Sequence, residues 1–207
     1  MTSDQKALRR QPRQERSRDR IDDILSAAMQ LIGQKGSAAV TMRGIATASD
    51  MSLATVYHYF PNRTAVIATL FERYSKGTRE VIDTALQDIK DASGIGDAAE
   101  MIVDFYYNRL RGDPAVQDLL DAIHADKALH DLDIEETHRQ ADQFSRSTQV
   151  FLAESCRQEY ARAVYLLFQL ASAAIRLALH ESEEKGAVII DDYRRLIRGR
   201  FSQFEQL

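Results

Sequence analysis

Residues 41–63 read TMRGIATASDMSLATVYHYFPNR, and this stretch decides the fold. It parses as two short helices joined by a tight turn. Thr41 can N-cap the first, its hydroxyl accepting from a free amide of the first turn. Val40 before the cap and Ile45 after it make a hydrophobic staple. Ser49-Asp50 interrupts the run, and aspartate is among the few non-glycine residues that tolerate a left-handed turn. Ser52 can cap the second helix, with Met51 and Val56 repeating the staple. Ile45, Ala46, Val56 and Phe60 are left for a small shared core. Leu53, Ala54, Thr55, Tyr57 and His58 then face outward, a short and mostly uncharged surface with hydroxyls and one imidazole. Two helices with such a turn suit a helix-turn-helix, whose second helix lies in the major groove of DNA. The alternative is a helical hairpin inside an ordinary α-domain, which has no need of that solvent-facing polar set.

The wording is also familiar. T-M-R-x-I-A followed by S-x-x-T-V-Y-x-Y-F-P-N-R resembles the DNA-binding domain of TetR-family transcriptional regulators, over the first quarter to third of the chain. Three positions depart from the usual pattern. Asp50 stands where glycine is usual and requires a left-handed aspartate. Leu53 replaces a basic or small polar residue and removes a phosphate contact. Arg63 replaces lysine and keeps the charge. The resemblance implies an N-terminal DNA-binding domain and a helical C-terminal domain that pairs with a second subunit and takes an effector.

Composition agrees with a globular helical chain. The 207 residues are 44% hydrophobic, with three prolines and nine glycines, enough for a substantial core and against global disorder. Strand-like alternation is nearly absent. The net charge of −4 is unevenly spread: residues 1–63 carry ten basic and six acidic side chains, the remainder seventeen and twenty-five. A basic module on an acidic body points to DNA at one end only. Cys156 is the single cysteine, so no intramolecular disulfide can form, and a reducing compartment is the simplest setting. The charged start of the chain lacks an apolar stretch of signal-peptide type. Together these predict a cytoplasmic protein.

Outward from the motif, residues 1–16 are polar, basic and interrupted by Pro12, and read as a disordered arm whose Lys6, Arg9, Arg10, Arg13 and Arg16 either reach DNA or stay solvated. A first helix over Ser17–Lys35 carries Ile21, Ile24, Leu25, Ala28, Leu31 and Ile32 at helical spacing and stops at Gly36. Its stripe is expected to pack on the helix-turn-helix, with nothing else nearby to cover it. Residues 17–63 thus form a three-helix DNA-binding domain. Asn62 can cap a long helix to about Ile89, a connector or a transmitter of motion into residues 64–207. Breaks at 93–97 and 112–114 separate two further helices. Residues 126–133 read as irregular or a short helix, followed by a helix to Cys156.

The stretch 159–181, EYARAVYLLFQLASAAIRLALHE, is apolar nearly all round, with Arg162, Gln169, Ser172 and Arg176 on one narrow face. Gln169 and Arg176 argue against a membrane span. One face against its own domain and another against a partner subunit is the better account. With a last helix capped by Asp191, this predicts a four-helix interface involving Leu167, Ala171, Ala174, Ile175, Ala178, Ile197 and Phe201, the arrangement the family resemblance also implies.

No phosphate-binding glycine loop or nucleophile elbow occurs, and no cofactor or enzymatic chemistry is expected. Asp121-x-x-His124, Glu135-x-x-His138 and His130 are read as a solvated acidic face, with no metal site. Aromatics on several body helices suit a small-molecule pocket, for which Phe105, Tyr106, His124, Phe144, Phe151, Tyr165 and Phe168 are the candidates, although for any single aromatic a place in the core is the favoured reading. The reading is an all-α protein: an N-terminal three-helix helix-turn-helix domain joined by a long helix to a C-terminal helical ligand-binding and dimerisation domain. Arg43, Thr55, Tyr57 and His58 are expected to read bases, and Thr41, Ser52 and Arg63 to hold phosphates. The function expected is a homodimeric repressor released from operator DNA by a small-molecule effector. The alternatives are an activator, a regulator with a protein partner, or a helical enzyme or carrier with a vestigial DNA module.

Overall fold

The computed structural model describes the backbone of residues 3–205 and the side chains of residues 15–205. Among the described residues nine α-helices and three single 3-10 turns account for the architecture, with no strand: α1 (Ser3–Lys35), α2 (Met42–Ala48), α3 (Leu53–Tyr59), α4 (Arg63–Gln87), α5 (Gly94–Gly112), α6 (Pro114–Ala125), α7 (Lys127–Thr148), α8 (Arg157–His180) and α9 (Glu183–Glu205). They sort into two compact units, residues 1–73 with 114–129 and residues 74–113 with 130–207.

In the first unit, Ile24, Leu25, Ala28 and Ile32 of α1 are buried, as the helical spacing requires. Gly36 ends α1 with φ 74°, a left-handed backbone that suits glycine, and its amide donates to the Ile32 carbonyl. Ile45, Val56, Phe60, Val66 and Ile67 complete the shared core of α2, α3 and the start of α4. The stripe on α1 has a second cover that the sequence order conceals. Helix α6 packs along α1, burying Val116, Leu119 and Ile123, and Ala115 lies so near Gly33 that a Cβ there would stand 3.0 Å from the Ala115 Cβ. Each such aliphatic side chain contributes roughly 1.5–3 kcal/mol on burial. Pro114 occupies the first turn of α6, where its missing N–H costs nothing.

The second unit is built from the rest of α4 with α5, α7, α8 and α9. Helices α8 and α9 form an antiparallel hairpin whose tight start depends on Gly186. A Cβ there would sit 2.5 Å from the Ala178 carbonyl oxygen and 2.9 Å from the Tyr107 hydroxyl. Tyr160, Phe201 and Phe204 pack with ring centroids 5.3–5.7 Å apart, and Phe144 joins Phe168 and Phe201. The Tyr160 hydroxyl shares a hydrogen bond with Thr148 at 2.6 Å. Ion pairs join α9 to α5: Arg194 to Asp104, and Arg198 to Asp97 and Glu100.

Three helix starts differ from the sequence reading, and α7 ends at Thr148 rather than at Cys156, giving way to the 3-10 turns Gln149–Phe151 and Glu154–Cys156. The backbone is helical from Ser3, so the expected unstructured arm continues α1; apart from Pro12 this segment is rich in good helix formers, which sustain the helix across one lost hydrogen bond. Lys6, Arg9, Arg10 and Arg13 lie outside the described side chains, and Arg16 is exposed. Helix α7 begins at Lys127, and Asp126 caps it through the Ala128 amide at 3.0 Å. Helix α9 begins at Glu183, which places Asp191 in its interior, paired with Arg195 one turn on rather than capping.

Candidate functional site

The two caps read from the sequence are formed. The Thr41 hydroxyl accepts from the Gly44 amide at 3.0 Å, and the Ser52 hydroxyl accepts from the Thr55 amide at 3.1 Å. Asp50 takes φ 52°, the left-handed turn that glycine more often supplies, and the Met51 amide closes the turn on the Ala46 carbonyl at 2.9 Å. The seven residues of α3 are therefore fixed at their start by bonds that reach at most five residues along the chain. Val56 is wholly buried beneath, while Ala54, Tyr57 and His58 are exposed, and Tyr57 keeps 50% of its surface. Leu53 and Thr55 are half-buried. The Thr55 and Ser52 hydroxyls share one hydrogen bond at 2.8 Å, which leaves a single hydroxyl hydrogen of the pair for another acceptor. Thr41 likewise retains its own hydroxyl hydrogen. Arg43 is exposed on α2.

Arg63 is the exception. Its Nη2 donates to the Ser37 carbonyl at 2.7 Å, and its Nε is buried without a partner. The side chain turns inward and ties the start of α4 to the turn after α1. Sequence spacing placed it on the phosphate side, because the partner lies 26 residues away and no local pattern announces it.

In the body the aromatic candidates have different surroundings. Phe144 is fully buried against Phe168 and Phe201, Phe151 sits at the surface, and Tyr165 stacks on His138 with centroids 3.8 Å apart. His124 belongs to α6 and hence to the first unit. Tyr106 is different. Its hydroxyl donates to Gln140 Oε1 at 3.2 Å, Gln140 Nε2 donates to Glu136 Oε1 at 2.9 Å, and Arg79 Nη1 pairs with the same oxygen at 2.5 Å. Arg139 takes the second carboxylate oxygen at 3.1 Å. Burial pushes the Tyr106 phenol up to about 12, so it remains a neutral donor. Sequence reasoning missed this polar layer, whose members lie on α4, α5 and α7. Among the described residues no group of three or more His, Cys, Asp or Glu is arranged to hold a metal ion.

Two family descriptions match the chain. "Bacterial regulatory proteins, tetR family" covers residues 24–70, and "Tetracyclin repressor-like, C-terminal domain" covers residues 93–205. The chain belongs to the TetR family. It is a DNA-binding transcriptional regulator of that family. The HTH-type transcriptional regulator YvkB of Bacillus subtilis (strain 168) is 34% identical over 74 residues, 35% of this chain and 39% of that protein. The matched region thus spans well under half of this curated relative. A TetR-family transcriptional regulator from Streptomyces coelicolor superposes with TM-score 0.68 at 21% identity, covering 89% of this chain and 99% of that one. The SmeT–triclosan complex superposes with TM-score 0.64 at 17% identity, covering 84% and 90%. At such identities the likeness concerns the fold.

For a TetR-family chain the remaining question is which face of α8 and α9 is free. Ile175, Ala178, Ile197 and Phe201, expected to meet a second subunit, are buried within the chain itself, because they face the core of their own unit. Leu167, Ala171 and Ala174 are half-buried. The apolar residues left outside are Leu166, Leu170 and Leu177 on α8 and Val188 and Leu196 on α9, each 45–65% exposed. On a helix apolar nearly all round, sequence alone does not say which apolar side is turned inward. The same helix, counted from Glu154 to His180, is long and apolar enough to cross a membrane by composition alone, but Tyr160, Ala163, Val164, Ile175 and Ala178 commit one side of it to the core.

Proposed function

We propose that this regulator is a cytoplasmic homodimeric repressor that binds a pseudo-palindromic operator and leaves it when a small molecule occupies the helical body. One observation carries the DNA half of the reading: α3 is capped at its first turn and pinned by a fully buried Val56, while Ala54, Tyr57 and His58 stand exposed. Preorganised side chains on a short rigid helix suit groove reading, with Arg43 beside them on α2. Thr41 and Ser52, with the free amides of the two helix starts, are suited to phosphate oxygens.

The dimer half rests on the exposed stripe of Leu166, Leu170, Leu177, Val188 and Leu196. Pairing it with its symmetry mate gives a four-helix interface and matches two-fold protein symmetry to a two-fold site. A fold neighbour bound to triclosan supports a small-molecule effector for the body. Effector binding would favour a subunit arrangement unsuited to successive grooves, and operator would weaken effector binding by the same factor. Footprinting with the purified full chain tests the reading. A protected two-fold site, with preference altered by His58→Ala or Arg43→Ala, is the expected result. The absence of any preferred site would overturn it.

A further inference from the structure

Among the buried polar atoms of the second unit that complete no hydrogen bond, one lies beside a cation that no carboxylate pairs. The Tyr74 hydroxyl, on the inner side of α4, is shut from solvent and completes no hydrogen bond, although the Thr78 and Tyr106 hydroxyls lie near it. A buried donor without a partner is costly and calls for an acceptor. Burial holds this phenol well above its ordinary pKa, so it keeps its proton. Arg109 of α5 lies over the same ring, its Cζ 5.3 Å from the Tyr74 centroid and 5.9 Å from that of Phe105. It is exposed, and no carboxylate among the described residues pairs with it, whereas Arg79, Arg111, Arg194, Arg198 and Arg200 of the same unit each hold an acid. Its charge acts on the Tyr74 hydroxyl. The neighbouring Glu136 adds no unmet acceptor, being engaged by Arg79, Arg139 and Gln140.

We infer that Tyr74 and Arg109 form the polar anchor of the effector site and that the effector is a monocarboxylic acid with an aromatic or aliphatic body. This rests on the effector reading above. Both groups supply donors: the Tyr74 hydroxyl completes no hydrogen bond with the Thr78 or Tyr106 hydroxyls beside it, and Arg109 has no carboxylate partner among the described residues, so a ligand can bring the acceptor. A planar carboxylate offers two oxygens to a guanidinium fork and a phenol. One cation balances one negative charge; a phosphate dianion would leave its second charge uncompensated near Glu136. The rings of Phe105, Tyr74 and Tyr106, the last two edge-to-face with centroids 6.1 Å apart, suit an apolar remainder of the ligand.

The test uses the purified full chain with decanoate and 3-phenylpropionate, each beside its neutral amide, measured by calorimetry and thermal shift. The acids should bind and raise Tm, the amides at least tenfold more weakly. Arg109→Gln should cost the acids roughly ten- to a hundredfold, the range for hydrogen bonds to charged groups, and erase their advantage over the amides. The control Arg162→Gln, on an exposed arginine of α8, should leave binding unchanged. Tyr74→Phe should weaken acid binding without lowering the Tm of the free protein, since the hydroxyl it removes has no partner to lose. No binding by either acid, equal binding of acids and amides, or unaltered acid affinity in both variants would overturn the inference. Acids that bind through these residues yet leave operator affinity untouched would uphold the anchor and overturn the effector role. A neutral ligand that releases operator equally from wild type and Arg109→Gln would uphold the effector role and overturn the anchor.

Discussion

The polar contacts around α2 and α3 in the first unit and those across the second unit differ in range. In the first, the polar contacts that shape α2 and α3 are local: Thr41 to Gly44, Ser52 to Thr55, Ser49 to Ile45, Asn62 to Ala65, each three or four residues apart. In the second, the ties run between distant residues: Arg79 to Glu136, Asp83 to Gln143, Arg194 to Asp104, Arg198 to Glu100, separated by 57 to 98 positions. Local caps fix a small surface whatever surrounds it, which suits a part that must present the same side chains to each operator. Long-range pairs make the body a single network in which α4, α5, α7 and α9 depend on one another, which suits a part that must respond as a whole.

The largest effect expected from breaking this contrast comes at Val56. Val56→Asp puts an unpaired charge into the sealed core beneath α3, a cost of several kcal/mol, and should abolish operator binding. If the second unit is held by its own network, sedimentation should still show a dimer. Loss of the dimer as well would mean that the units do not fold separately.

Next comes the free face of the body. Leu170→Glu combined with Leu196→Glu should give a monomer by sedimentation and lower operator affinity by about a hundredfold or more, as expected when a two-site contact becomes a one-site contact. Ile197→Ala, one residue away but buried, should instead lower Tm through a cavity worth about 2–4 kcal/mol and leave the dimer intact once folded. A monomer from Ile197→Ala with an unchanged Tm would reverse the assignment of faces.

Glu136→Gln tests the network itself. It removes the charge shared by Arg79 and Arg139. Because Arg79 remains 26% exposed and can hydrate, the loss should be about 2 kcal/mol, below the range for a fully buried pair. Calorimetric unfolding should report it in the transition of the second unit and leave the first unchanged.

The smallest effect separates two roles for one residue. Arg63→Ala should cost about 1–2 kcal/mol by losing its charge-assisted bond to the Ser37 carbonyl, which keeps the Val40 amide as a donor. The salt slope of operator binding should not change. A slope flatter by about one would restore Arg63 as a phosphate contact.

Much of the first unit was legible because its signals are short-range. Gly36, Thr41, Asp50, Ser52 and Asn62 each act on amides or backbone angles within a few residues, and the apolar spacing of α1 fixes its buried face. Even there, two features escaped. Helix α6, some eighty residues on from α1, covers the same stripe, and Arg63 turns to a carbonyl behind it. Both depend on where distant chain segments arrive, which no local pattern encodes.

By itself the sequence determined the all-α class, the capped helix-turn-helix, the outward Ala54, Tyr57 and His58, and the presence of a helix apolar on nearly every side. Only the tertiary structure decided how that helix is turned, with Ile175 and Ala178 inward and Leu166, Leu170 and Leu177 outward. It alone brought Tyr106, Gln140, Glu136 and Arg79 into one polar layer, set Arg109 over Tyr74, and assigned His124 to the other unit. The physical reason is range. Caps, turns and periodicity are paid for within one or two helical turns, whereas the choice between two apolar faces and the pairing of charges dozens of residues apart depend on which helices meet.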